Sequence, residues 1–306
     1  MTLGYACMNL TLRERDSPLR CNRGMQRKTW ESEGLEYASE LAVQNFSDLY
    51  EILRWNVAHD IYFYRCTSGL VPWNSQFELT DLPDYEEIAR LAADCGRVVR
   101  DNDVRFTFHP SHWCKLASES AETVENSIRD LEVHGSWLDL LGLPRTPYYS
   151  INVHIGAHYN DKEATAVRFR EAVDRLSPAA RERLTVENDD TDGLWSVPEL
   201  VDSVAEPLGV PIVFDYHHHQ FTSRGLAYRE AFELAARTWG DVRPVAHYSE
   251  PARLYGRDAR PQMHAEYVSS VPDWLLDGAD VMLEAKAKER ALLRYRDGTE
   301  PTVGTS

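Results

Sequence analysis

The chain has 306 residues, 43% hydrophobic and 27% charged, enough to bury a large core as one α/β barrel. No apolar run approaches the roughly 18 residues of a membrane span, and residues 1–16 lack the basic start and apolar centre of a secretory leader. A net charge of −16, from 33 basic and 49 acidic residues, argues by itself against nucleic acid as a partner.

Two details qualify the charge. Only five of the basic residues are lysines, and an acidic, lysine-poor surface is one style of adaptation to concentrated salt. The charge is also uneven: between Cys7 and Lys28 six basic residues (Arg13, Arg15, Arg20, Arg23, Arg27, Lys28) face only Glu14 and Asp16. The five cysteines (Cys7, Cys21, Cys66, Cys95, Cys114) form no CxxC pair. That pattern fits free thiols and a cytoplasmic protein.

In chain order, short β-rich runs alternate with longer segments of helical period. A strand is predicted over 2–6, a helix over 35–57, then a strand over 60–65 and a helix over 84–101. Strands follow at 104–109, 149–154, 183–187 and 211–215, separated by helices at 120–141, 162–176 and 197–208. A helix over 228–239 leads to a strand at 243–247. Residues 248–278 show no strong helix, and the last strand is 279–284. Continuous apolar strands separated by helices are the signature of βα units around a parallel sheet. Eight of them predict a single (β/α)8 TIM barrel over 1–296, with the active site at the C-terminal face of its strands and a frayed tail over 297–306.

Strand after strand ends on a metal-competent side chain: His109, His154, Glu187, Asp215, His247 and Glu284. In a parallel barrel these ends converge on one mouth. Imidazole and carboxylate together suit Zn2+, Mn2+ or Fe2+, and two neighbouring ions suit phosphodiester hydrolysis. Each position has a structural alternative, because a lone polar residue at a strand end commonly serves hydrogen bonding. His264 reads either as a further ligand or as surface, and His158 either as a ligand or as a loop residue. His59 and His134 read as structural.

These strand ends resemble those of the UV damage endonucleases, relatives of the endonuclease IV-type barrels. The resemblance covers residues 3 to about 289. It rests on Gly4-Tyr5 with Asn9-Leu10-Thr11, on Asn45-Phe46-Ser47-Asp48-Leu49 with Leu53 and Asn56, and on Tyr64-Arg65 with Leu70-Val71-Pro72. His109-Pro110, Val153-His154-Ile155-Gly156, Glu187-Asn188-Asp189 and Asp215-Tyr216-His217-His218-His219 continue it. Ala246-His247-Tyr248-Ser249, Met263-His264-Ala265 and Glu284-Ala285-Lys286-Ala287-Lys288-Glu289 complete it.

The resemblance implies a trinuclear site. One ion would use His109, His154 and Glu187. Glu187 would bridge to a second ion on Asp215, His247 and Glu284, and a third would use His218 and His264. Mn2+ is the implied metal, with Zn2+ or other divalent ions compatible. The implied reaction is hydrolysis of the phosphodiester 5′ of UV photoproducts and other lesions in double-stranded DNA, leaving a 3′-hydroxyl and a 5′-phosphate. Glu187 and Lys286 are the implied catalytic residues, Lys286 neutralising phosphate or holding Glu284, or else merely starting a helix. Tyr5 and Asn9 would line the damaged-strand pocket; otherwise they are a strand tyrosine and a helix cap. A monomer acting on damaged DNA, with no membrane partner, is expected.

Two departures stand out. Where the family commonly carries Gln-Tyr beyond the third-strand His-Pro, this chain has His112-Trp113. Tryptophan can still stack on a base or fill a gap in the duplex, but imidazole bonds differently from an amide. Where some members carry a lysine before the seventh-strand histidine, this chain has Val245. A metal-dependent sugar isomerase or epimerase on the same barrel is the alternative reading, since similar ligands suit ketose–aldose chemistry.

Overall fold

The computed structural model describes residues 2–111, 113–256 and 258–298. Eight strands, β1 (Leu3–Ala6), β2 (Phe63–Cys66), β3 (Arg105–Phe108), β4 (Ile151–Val153), β5 (Leu184–Glu187), β6 (Ile212–Asp215), β7 (Val245–Tyr248) and β8 (Asp280–Leu283), pair in parallel and close into a barrel, β1 meeting β8. Each falls inside or within one residue of its predicted run. The predicted helices are present as well. The first spans Arg27–Ala58 and is broken at Gly34, whose φ of 59° interrupts the helix just before the predicted start. The segment predicted as helix over 197–208 contains a π turn at Val201–Ala205. Pro207 cannot donate to the Ser203 carbonyl, which accepts instead from Arg170 Nη1 at 3.0 Å.

Alternation along the strands sorts side chains into two sets. One set faces the helices. Tyr5 donates to Asn56 Oδ1 of the Arg27–Ala58 helix at 2.8 Å, and Phe108 packs on Trp137 of the Ala121–Leu140 helix with ring centroids 5.6 Å apart. The other set fills the barrel in layers. At its floor Arg105 donates to Asp280 (3.0 Å) and to the Arg243 carbonyl (2.8 Å), and Arg243 also pairs with Asp280. Above lie Phe63, Val213, Val245 and Met282, a buried apolar cluster with Ala6. The same register, continued one step, raises Arg65, His109, His154, Glu187, Asp215, His247 and Glu284 to the mouth.

Between β7 and β8 the described residues form no long helix. The chain runs through a short 3-10 turn at Ala252–Tyr255 and an isolated bridge between Pro251 and His264. The buried Glu250 carboxylate organises this excursion by accepting from the Ser269 and Ser270 amides at 3.0 and 3.2 Å. Of the expected tail, residues 299–306 lie outside the described residues.

The middle layer depends on Gly4. A Cβ there would stand 2.7 Å from both Phe63 Cγ and the Phe63 carbonyl oxygen. Gly4→Ala is therefore expected to destabilise the barrel by about 2–3 kcal/mol through overpacking, read as a lower denaturant midpoint. An unchanged midpoint would refute this packing.

Candidate metal centre

Glu187, the last residue of β5, is 1% exposed and is the hub of the mouth. Its Oε2 lies 3.4 Å from His109 Nε2, 3.6 Å from His154 Nε2 and 3.0 Å from His247 Nδ1; its Oε1 lies 3.3 Å from His218 Nδ1. Asn152, one inward step below His154 on β4, donates to Oε2. These imidazoles drive the Glu187 carboxyl well below the usual range although burial opposes ionisation; His247 and His154 contribute most.

Asp215 ends β6 and caps the helix Tyr216–Thr222, its Oδ1 accepting from the His218 amide at 2.7 Å. Asn188 pins it further, accepting from its amide at 2.8 Å and donating to its carbonyl at 3.0 Å. Its Oδ2 is buried without any hydrogen-bond partner. Burial, reinforced by Glu187 and Glu284, pushes the Asp215 carboxyl up to about 6, against the pull of His218. Glu284 follows β8, takes a hydrogen bond from Arg65 and lies 3.2 Å from His247 Nδ1. Burial raises its carboxyl, but Arg65 and His247 outweigh this and lower it.

The three adjacent histidines separate because the helix turns about 100° per residue. His218 reaches Glu187. His219 turns away and bonds the Leu226 carbonyl at 2.9 Å. His217 faces His264, ring centroids 5.4 Å apart, closer than the 6.4 Å between His218 and His264. Burial and the neighbouring His264 and His218 lower the His217 imidazole to about 4. His217 was not singled out in the sequence as a ligand, yet it stands beside the pair that was.

The arrangement suits divalent cations. The candidate ligand atoms of His109, His154 and Glu187 lie within 4.8 Å of one another, and so do those of Glu187, Asp215 and His247. Outer partners fix ring orientation as metal-binding histidines require: His109 Nδ1 faces the Pro110 carbonyl at 2.9 Å, His264 Nδ1 faces that of Glu284 at 2.9 Å, and His154 Nδ1 lies 3.3 Å from Asp189 Oδ1. A buried carboxylate oxygen without a donor, on Asp215, is costly unless a cation faces it.

Other expected residues lie elsewhere. Tyr5 is fully buried and faces the helices, because its strand parity is opposite to that of the mouth. Asn9 Nδ2 donates to Tyr5 Oη at 3.1 Å, and its Oδ1 caps the Leu10–Arg13 helix at Leu12 N. Through the first of these bonds Tyr5 supports Asn9, which borders a small cleft with Cys7, Met8, Arg13 and Arg20. Trp113 is 76% exposed beyond β3; His112 lies outside the described residues. Lys286 is exposed and its backbone amide donates to the Ala265 carbonyl at 3.0 Å. His134 and His59 are structural: His134 is packed between Phe108 and Trp137, and His59 is stacked on Trp55.

The carboxylates of this centre favour protons on two of its imidazoles. Burial would lower His154, but Glu187, Asp189 and Asp215 push it up to about 10; His218 is likewise raised by Asp215 and Glu187 against burial. Burial keeps His109 lowered, with Glu187 only partly countering it. For the raised His154 the sign is fixed: its protonated form stabilises the ion-free fold below the reference value of 6.5, and that contribution fades as pH rises toward 10. A cation must displace such protons. Divalent-cation binding at pH 7, followed by calorimetry in buffers of different ionisation enthalpy, is therefore expected to release protons and to weaken as pH falls through 6. Proton-neutral binding would contradict this electrostatic account.

With the fold and centre described, comparison with known proteins is direct. The sequence matches the family described as UV-endonuclease UvdE over residues 1–301. The UV-damage endonuclease of Neurospora crassa is 32% identical, with 95% of this chain and 50% of the relative covered. That of Schizosaccharomyces pombe is 30% identical, with 95% and 49% covered. The UV DNA damage endonuclease of Bacillus cereus (strain G9842) is 29% identical, with 83% and 80% covered. The chain thus spans about half the length of the two fungal relatives. Among solved structures, that of SacUVDE superposes with a TM-score of 0.84 at 28% identity, covering 97% of each chain. Endonuclease IV from Thermus thermophilus (TM-score 0.54, 15% identity) and the 3-keto-D-glucoside 4-epimerase YcjR from E. coli (0.57, 11%) share the fold alone. A match over almost the whole length, on a barrel of this topology, means that the chain belongs to the UV-endonuclease UvdE family.

Proposed function

We propose that this chain is a metal-dependent DNA repair endonuclease. It hydrolyses the phosphodiester immediately 5′ of UV photoproducts and other lesions in double-stranded DNA, leaving a 3′-hydroxyl and a 5′-phosphate. The observation that carries the reading is the buried Glu187 carboxylate, approached by four imidazoles beside an Asp215 oxygen that accepts no hydrogen bond. The substrate class comes from family membership and from relatives named UV-damage endonucleases.

Three divalent ions, expected to be Mn2+, supply Lewis acidity and neutralise phosphate charge when bound. His109, His154 and Glu187 would hold one; Glu187, Asp215, His247 and Glu284 a second; His218 and His264 a third, with His217 alongside. The protein's own contribution is positional. Asn152 and the surrounding imidazoles orient Glu187 and keep it ionised, Asn188 immobilises Asp215, and Arg65 anchors Glu284. Lys286, exposed at the end of the Glu284-Ala285-Lys286 run, is assigned to phosphate neutralisation. Trp113, projecting beyond β3, is assigned to stacking at the lesion. The basic segment after β1 lies on the mouth side, where Arg13, Arg15 and Arg20 are exposed toward a passing backbone.

Incubation of the chain and Mn2+ with a photoproduct-bearing duplex should give one nick 5′ of the lesion and none in intact duplex, resolved on a denaturing gel. Glu187→Gln should abolish nicking, whereas Asn152→Ala should lower it by about 10- to 100-fold as an outer partner of the site. No nicking across metals, salts and lesions would end the nuclease reading.

The acidic surface leads to a second expectation. Protein–DNA affinity ordinarily falls steeply with salt. If the charge of −16 is a salt adaptation, nicking persists at ionic strengths that halt ordinary nucleases. Activity confined to low salt would remove that interpretation.

A further inference from the structure

Beside the candidate ligands the mouth opens into a cavity of about 440 Å³, bordered by His109, His154, His218, Asp189 and Lys115. Its volume lies in the range of small-molecule sites and leaves room for a nucleotide. Lys115 is one of five lysines in the chain and follows His109 by six residues. Its seat is built from two sides. Its amide donates to Ser127 Oγ at 2.7 Å, and that hydroxyl donates in turn to the Thr123 carbonyl at 2.7 Å. Its ammonium donates to the Gly156 carbonyl at 2.9 Å. Gly156 has φ of 61°, and a Cβ there would stand 2.6 Å from Lys115 Nζ. The positive φ favours glycine here, and a side chain at this position would push the ammonium from its seat.

The electrostatics of this seat are unusual for so acidic a chain. Among the described residues Lys115 forms no ion pair. The nearby carboxylates are engaged elsewhere: Asp189 with the Trp195 amide and His154, Asp190 with Thr191 Oγ1 at 3.0 Å. An ammonium carries three donors, and the Gly156 carbonyl uses one. A half-buried cation is thus held at the cavity wall with donors to spare and no protein anion.

We propose that Lys115 and the Gly156 turn form a phosphate-binding subsite, which grips a backbone phosphodiester adjoining the scissile one. This rests on the endonuclease reading above. Lys115 acts as a positioning residue: it sets where the strand lies relative to Glu187 and does not touch the bond that breaks. The departing and attacking groups are unaffected by its charge, so its loss appears in substrate affinity.

The test uses the full chain with Mn2+ and a lesion-bearing duplex. Lys115→Met is expected to raise KM about tenfold, the size of a lost charged hydrogen bond, with kcat nearly unchanged. It should also make the dependence of log affinity on log salt shallower by about 0.9, one phosphate contact. Lys115→Arg should restore the salt slope. Gly156→Ala keeps the lysine but displaces its ammonium, and should reproduce the rise in KM. A duplex carrying one uncharged methylphosphonate should weaken the wild-type protein at a single position and leave Lys115→Met indifferent there. Wild-type nicking combined with unchanged KM and salt slope in Lys115→Met would overturn the subsite alone. Absence of nicking by the wild type would instead overturn the endonuclease reading, and the subsite with it.

Discussion

One carboxylate governs the mouth of this barrel. Glu187 is almost completely removed from water, yet His247, His154 and His109 hold its carboxyl well below the usual range, and His218 approaches it from the helix after β6. A buried charge survives only when paired and hydrogen-bonded. Every neighbouring feature answers that requirement: the amide of Asn152, the histidine orientations fixed by Pro110 and Asp189, the helix that brings His218 inward. The mouth nevertheless carries more carboxylates than Arg65 can balance, and the imbalance is what makes protons or divalent ions integral to it.

The barrel is arranged to tolerate such a centre. Its charged floor is paired internally, with Asp280 shared between Arg105 and Arg243, although Arg105 Nε and Nη2 are buried without hydrogen-bond partners. The layer of Phe63, Val213, Val245 and Met282 separates that floor from the mouth. Two polar assemblies therefore occupy one barrel without sharing a partner, the lower one ion-paired within the protein and the upper one open to exchange.

Much of this was legible in the sequence, for identifiable reasons. The strands stood out because buried parallel strands are continuous apolar runs, and their polar ends marked the mouth because all strands point the same way. Individual roles were less legible. The orientation of Tyr5 was hidden because a motif fixes order along the chain, whereas inward or outward orientation depends on parity with β2 and β8. His217 was obscured among three identical neighbours, whose divergence depends on where the helix starts at Asp215. Asn152 left a faint trace, a lone amide between Ile151 and Val153. Arg65, although within a motif, showed its purpose only when β2 and β8 brought it to Glu284. The order of 248–278 had no periodic signal, since Glu250 imposes it through contacts with Ser269 and Ser270.

The alternation that separates Tyr5 from Arg65 also limits how the molecule can change over time. Insertions in the surface loops, including the excursion between Pro251 and His264, leave the register of the eight strands intact. A single-residue insertion or deletion inside β2, β5 or β6 would rotate every later side chain of that strand to the other face. It would put apolar groups into the mouth and aim carboxylates at the helices. Lineages descending from such a barrel are therefore free to remodel what they grip, while the reading frame of the strands beneath is effectively frozen.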